Sequence, residues 1–373
     1  MSDVFIEKCE SYNEEELELS MKKIFESLGD LSFLKNKKIL LKPNLLSPKK
    51  PEKAVTTNPE FLRAVVKNLK KYTDRIYVGD SSGIGSPDLL YNVTGIKKII
   101  EDENLILADF KNKIKIENPQ GKLVKSFEVA KAFADADYII SLPKLKTHAM
   151  TYYTGAVKNL FGMIPGGLKP TYHMRFPELG LFTQMLVDLN TAIKPLMSIM
   201  DAVIGMEGNG PGNGSPRKIG LIMASYDPVA LDSTACRIIG IKPEKIYTNI
   251  NGVKSGLGVM DSEKIKLPEW FSFDKYSIKD FKKASVKLNM IALPVPKPLT
   301  DFVKKTFGRK PQFDHKKCIM CQECVKICPS QPKSLKAENG KIKINRNTCI
   351  KCFCCQEMCP VGAIKPSRFV GKS

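Results

Sequence analysis

Two hydrophobic rhythms alternate along the chain. Runs that are apolar almost throughout, "KILL" (38–41), "RIYV" (75–78), "YIISL" (138–142), "LMSIM" (196–200) and "IGLIM" (219–223), are separated by stretches with helical spacing. Continuous apolar runs of this length fit strands covered on both faces, as in a largely parallel sheet. Leu17, Met21, Ile24, Phe25 and Leu28 fall on one face of a helix that Asn13 would cap, with Glu16 as its capping-box partner. Asn58 and Pro59 open a second helix, with Leu62, Val65, Val66, Leu69 and Tyr72 as its buried stripe. Residues 104–130 hold a less regular β segment. Residues 1–265 therefore read as an α/β fold with helices flanking the sheet. Residues 266–312 read as a basic connector with prolines at 294, 296, 298 and 311.

The pattern changes again after residue 312. "CIMCQECVKICP" spaces Cys318, Cys321, Cys324 and Cys328 at two, two and three residues before a proline. "CIKCFCCQEMCP" repeats this with Cys349, Cys352, Cys355 and Cys359, an offset of 31 residues from 318 to 349. In the bacterial ferredoxin run of this form, the fourth cysteine of each motif serves the other cluster. One [4Fe–4S] cluster is thus expected on Cys318, Cys321, Cys324 and Cys359, the other on Cys349, Cys352, Cys355 and Cys328. Exchanging the fourth ligands ties together a unit too small to rely on an apolar core. Zinc sites pair their cysteines differently. Disulfides are disfavoured because "MSDVFIEKCE" is no signal peptide, which points to a reducing, cytoplasmic setting. Cys354 fits neither register, and Cys9 and Cys236 read as small core residues. Residues 313–373 are therefore expected to form a small α+β ferredoxin-like domain with two clusters.

Each apolar run gives way to polar residues. Lys42 and Asn44 come after the first, Asp80 after the second, and Lys144, Lys146 and His148 after the third. Asp201, Glu207 and Asn209 come after the fourth, and Ser225 and Asp227 after the fifth. If the strands are parallel, all five ends meet at one crevice, where open α/β sheets bind ligands. Pro143 is expected to end its strand at a loop. Lys144, Lys146 and His148 alternate and so point the same way, as an anion site or as a wet edge. His148 beside two ammonium groups should stay neutral and able to act as a base, or else be a structural hydrogen-bonder. Asp227 before Pro228 reads first as a helix cap, with Gly240 closing that helix. "TGAVKNLFGMIPGG" (154–167) sets Lys158 and Asn159 among apolar residues; a buried lysine needs an anionic partner, with Glu207, Asp80 or a ligand as candidates. "GNGPGNG" (208–214) is no dinucleotide fingerprint, since an apolar run and not a helix comes after it.

Charge adds one question. The formal net charge is +20 over 373 residues, roughly +16 once two clusters at −2 each are counted. Residues 263–317 hold fourteen Lys/Arg and six Asp/Glu. Without aromatic interleaving or a helix-turn-helix pattern, a solvated face is favoured over a nucleic-acid site. No run reaches the ~20 apolar residues of a membrane-spanning helix.

"KPNLL" (42–46), "GDSSG" (79–83), "LPKLKTH" (142–148), "GAVKNLFG" (155–162), "DAVIGMEGNGP" (201–211) and "DPVALDSTACRIIG" (227–240) together resemble the domain-of-unknown-function family 362 over about residues 37–260. The resemblance implies fusion to ferredoxin domains and an anaerobic, redox-linked setting. The tail resembles two-cluster ferredoxins: "CPVGAI" (359–364) fits them, whereas "CPSQPKSL" (328–335) departs. A looser likeness in layout to the nickel-pincer lactate racemases carries over no residues, because the matching histidine motifs are missing.

The expectation is an iron–sulfur oxidoreductase that takes electrons from a soluble carrier or redox enzyme and passes them to an anionic small molecule or cofactor in the crevice. His148, Lys158 and Glu207 are the catalytic candidates, and Lys42, Asn44, Asp80, Lys144, Lys146 and Asn159 the binding candidates. A low-potential or radical reduction would need a further, unidentified cofactor. The rivals are an electron-transfer or cluster-delivery subunit, and a nucleic-acid protein with structural clusters.

Overall fold

The computed structural model describes residues 1–82, 86–284 and 310–367. Gly83 and most of the expected connector, including Pro294, Pro296 and Pro298, lie outside the described residues. The chain forms two compact units. Met1–Lys169 and Glu178–Ala284 make the larger; Pro170–Pro177 and the described C-terminal residues make the smaller.

In the larger unit the strands are β1 (Ser2–Asp3), β2 (Phe5–Lys8), β3 (Ile39–Pro43), β4 (Ile76–Val78), β5 (Ile106–Leu107), β6 (Lys113–Glu117), β7 (Ser126–Ala130), β8 (Tyr138–Leu142), β9 (Lys144–His148), β10 (Tyr152–Thr154), β11 (Met197–Glu207), β12 (Ser215–Ser225) and β13 (Ile265–Lys266). The main sheet runs β5, β4, β3, β8, β11, β12, β2. From β5 to β11 the pairing is parallel; β12 is antiparallel to both of its neighbours. The parallel half matches the apolar runs. β12 does not, because only residues 208–214 join it to β11, enough for a hairpin but too few for a crossover. Ser225 and Asp227 therefore sit at the opposite end of the sheet from the other four strand ends.

Pro143 ends β8, which stops at Leu142, but it opens no loop. The chain continues as β9, which pairs parallel with the outer half of β11 and turns back into the antiparallel β10. The proline marks a break between β8 and β9, where Asp201 N donates to Pro143 O.

Helices cover both faces. α1 (Glu14–Ser27) and α2 (Pro59–Leu69) bury Leu17, Met21, Phe61 and Val65 with Ile39, Leu41, Ile199 and Ile222. On the other face Leu145, Met200, Leu221 and Met223 pack with Ala230, Leu231 and Ala235 of the helix Pro228–Ile238. Ile199 and Met200, or Ile222 and Met223, divide between the two cores as strand alternation requires. Asn13 caps α1, but Glu16 reaches past it to Glu10 N and Ser11 Oγ, so the reciprocal box is not made. Asp227 accepts from Val229 N and Ala230 N as the N-cap, and Gly240 comes after that helix at φ +66°.

The smaller unit has β14 (Lys310–Phe313) antiparallel to β17 (Ile364–Ser367), and a hairpin of β15 (Leu335–Glu338) with β16 (Lys341–Ile344). One short helix lies within each cysteine run, Glu323–Lys326 and Cys354–Glu357. The α/β class and the small C-terminal fold of short strands and helices both agree with the sequence reading. No described helix is long and apolar enough to cross a membrane.

Candidate functional site

The carboxyl ends of β3, β4 and β9 gather a buried polar network. Lys42 comes after Leu41, which packs toward α1 and α2, so its side chain leaves by the opposite face. There its ammonium lies 2.9 Å from Asp80 Oδ1 and donates to Asn159 Oδ1 at 3.2 Å and Pro43 O at 2.9 Å. An ammonium has three protons, and these bonds use all three. Asp80 also accepts from Leu45 N and Ser81 N. On the other face Lys146 donates to Asn44 Oδ1 at 2.7 Å and Val55 O at 2.6 Å. Asn44 Nδ2 donates to Asn159 Oδ1 at 3.1 Å, joining the two halves around the strand ends. Burial pushes the Lys42 ammonium below the usual lysine range; Asp80 opposes this, and nearby Lys158 adds to it.

Lys144 belongs to a second, separate pair. Its Nζ lies 2.8 Å from Asp201 Oδ2 and 2.7 Å from Tyr12 Oη, and Asp201 also accepts from Tyr12 Oη and Asn58 N. Burial lowers its ammonium too, with Asp201 opposing. Lys158 is half-buried, not buried, and Asp80, one of its three candidate partners, is bound to Lys42. His148 Nδ1 accepts from Met150 N and Thr151 N, so the neutral ring carries its proton on Nε2. Protonating Nδ1 would break both bonds, which removes that nitrogen as a ready base. The Glu207 carboxylate accepts from Lys282 N, although its neighbour Met206 pairs with Lys146 across the sheet.

Two residues that shape the site escaped the sequence reading. Asp232, fully buried in the helix Pro228–Ile238, accepts from Ala156 N, Val157 N and Tyr153 Oη. It thereby holds the start of the short helix Ala156–Asn159, which carries Lys158 and Asn159. The available signal was an acid within the apolar run "PVALDSTAC". The other is Gly162: a Cβ there would come within 2.0 Å of Asp80 Oδ1 and 2.3 Å of Lys42 Nζ. Only glycine lets the backbone close over that pair.

In the smaller unit the cysteines are built by repeated backbone. Met320 and Gln322 have φ of 54° and 60°; their counterparts 31 residues on, Lys351 and Phe353, have 58° and 59°. These left-handed turns set each run around a centre. Cys328, Cys349, Cys352 and Cys355 line one cavity with Ser330, Ser334 and Leu335. Cys324 feels the charges of Cys321, Cys359 and Cys318, and burial, the larger cause, raises its thiol to about 11. Two sets of four thiols, each drawn from both motifs, fit the demand of a cubane, in which each iron takes one thiolate. Among the described residues no three His, Cys, Asp or Glu are placed for a single metal ion. Cys354 is buried beside Cys352.

A mixed α/β unit with ionic strand ends, joined in one chain to a paired cysteine module, defines a redox-associated protein. The chain belongs to the family described as domain of unknown function (DUF362), whose profile matches residues 39–237; a 4Fe-4S dicluster domain profile matches 310–360. It is 33% identical over 266 residues, 70% of this chain and 82% of the relative, to a thylakoid-associated protein of Synechocystis sp.. The cysteine module is 37% identical over 59 residues, 16% of this chain and 67% of the relative, to a pyruvate synthase subunit, PorD, of Methanocaldococcus jannaschii. Among solved structures the lactate racemase apoprotein of Thermoanaerobacterium thermosaccharolyticum matches with a TM-score of 0.41 and 12% identity, over 62% of this chain and 56% of that one.

Proposed function

We propose that the protein is an iron–sulfur oxidoreductase that binds an anionic small molecule at the carboxyl ends of β3, β4 and β9. Cys318, Cys321, Cys324 and Cys359 would hold one [4Fe–4S] cluster and Cys349, Cys352, Cys355 and Cys328 the other. When bound, such clusters supply one-electron transfer at low potential, fed here by a soluble carrier.

The observation that carries the reading is the network Lys42–Asp80–Asn159–Asn44–Lys146. It is a rigid, desolvated floor at the place where parallel sheets bind ligands. Lys42 has every proton engaged, so its role is to fix Asp80 and Asn159. Lys158, half-exposed and close enough to Lys42 to lower its ammonium, is the expected contact for an arriving anion. His148 would donate from Nε2 and not accept. Glu207 receives no proton-transfer role, because it anchors Lys282.

Extraction of anaerobically purified protein, followed by mass spectrometry, should find one anionic compound in near-stoichiometric amount. Lys158→Ala should lose it, at least tenfold, while keeping its iron and acid-labile sulfide. Retention of the same compound by that variant would remove Lys158 from the site. The second reading, an electron-transfer or cluster-delivery subunit, draws on the neutral pairing of Lys42 with Asp80 and of Lys144 with Asp201. It expects no retained compound and a stable protein partner.

A further inference from the structure

The two cysteine runs repeat, yet their fourth ligands are not surrounded alike. Cys359 Sγ accepts from Ala363 N at 3.2 Å. The residue four places after Cys328 is Pro332, which has no N–H to give. In its place Ser330 Oγ lies 3.1 Å from Cys328 Sγ. The counterpart of Ser330 after the second run is Val361, which has no hydroxyl.

Ser330 is not an isolated hydroxyl. Its Oγ lies 2.6 Å from Ser334 Oγ and accepts from Ser334 N at 3.0 Å; Ser334 Oγ lies 2.9 Å from Thr348 Oγ1. Ser330 and Ser334 are both buried and line the cavity of Cys328, Cys349, Cys352 and Cys355. A ligating thiolate can only accept, which fixes the direction of the chain. Ser330 donates to Cys328, Ser334 to Ser330, and Thr348, whose hydroxyl also lies 3.4 Å from Asn345 O, to Ser334 over the shorter distance. Donors aligned in this way polarise one another.

We propose that Ser330 supplies Cys328 with the hydrogen bond that Ala363 N–H supplies to Cys359, and that the Thr348–Ser334–Ser330 hydroxyl chain sets the reduction potential of the cluster served by Cys328. The inference rests on the ligand sets proposed above. A hydrogen bond to a ligand sulfur stabilises the reduced, more negative cluster, so its loss makes reduction harder. This donor is a removable side chain, whereas the one at Cys359 is backbone. Evolution or design could thus move one potential without touching the other.

The test is an EPR-monitored redox titration of the full chain, loaded anaerobically, with iron and sulfide content measured on each sample. Ser330→Ala should move one midpoint to more negative potential by about tenfold in the one-electron equilibrium, ~59 mV, and leave the other in place. Ser330→Thr, which keeps the hydroxyl, should stay near the parent. In the reduced parent, ENDOR should find an exchangeable proton coupled to one cluster and absent from Ser330→Ala. If Ser330→Ala fails to load, Thr348→Val leaves Ser330 in place and should give a smaller shift of the same sign. An unmoved midpoint, or equal movement of both, in whichever variant loads would overturn the inference. Absence of iron and sulfide from the parent would instead overturn the ligand reading itself.

Discussion

Lys42 and Asp80 form an ion pair with both side chains almost fully out of water. Such a pair contributes little net stability, because desolvation offsets attraction, but breaking it strands a charge. Lys42→Met should therefore cost about 3–5 kcal/mol in urea unfolding, and Asp80→Asn, which still accepts from Leu45 N and Ser81 N, a similar amount. The double variant should recover much of that loss, and simple additivity of the two would show that the residues do not act as a pair. At this scale the sequence was half legible. It singled out Lys42, Asn44, Asp80 and Lys146 as polar residues at the ends of apolar runs, and Asn159 as a polar residue set among apolar ones, positions with few structural reasons for such residues. It could not say which acid meets which lysine. Spacing along a strand gives the face a side chain takes, while the partner comes from the loop after another strand, 38 residues away, Asp80 for Lys42.

At the scale of elements, the helix Ala156–Asn159 has four residues and cannot hold itself in water. Asp232 holds it from outside by two backbone amides. Burial raises the Asp232 carboxyl to about 7, against the pull of those amides and of Tyr153. In the unfolded chain it returns to roughly 4. Between those values the folded protein keeps a proton that the unfolded chain has released. Stability from this group is then complete below about pH 4 and is lost as the pH rises through 7. Urea titrations at several pH values should show wild type losing stability across that window relative to Asp232→Asn, then running parallel to it above. A flat profile across that window would mean that the donors keep the carboxylate ionised throughout it. Strands were the most legible elements, since continuous apolar runs have few other readings. The break at Pro143 and the reversal at residues 208–214 were less so. A proline can end a strand or merely interrupt it, and neighbouring strands decide which.

For the molecule as a whole, the question is where the α/β body stops. Apolar periodicity fades near residue 265, which placed the boundary there. The contacts run on to 284. Phe271 and Phe281 are buried in the same core as Leu221, Met223 and Leu231. Ile278 N donates to Ile238 O, and Lys282 N to the Glu207 carboxylate. Scattered aromatics without period leave no signature in a sequence, yet each buried phenyl contributes about 3–5 kcal/mol by the cost of its removal. Two of them approach the ~5–15 kcal/mol by which a domain is stable at all. We therefore place the boundary at Ala284. A chain ending there should unfold in one cooperative transition without iron, whereas one ending at Ile265 should lack that transition and expose apolar surface to dye. Equal midpoints for the two truncations would show that 266–284 only decorates a body complete without it, and Glu207 would then lose its structural role as the anchor of Lys282.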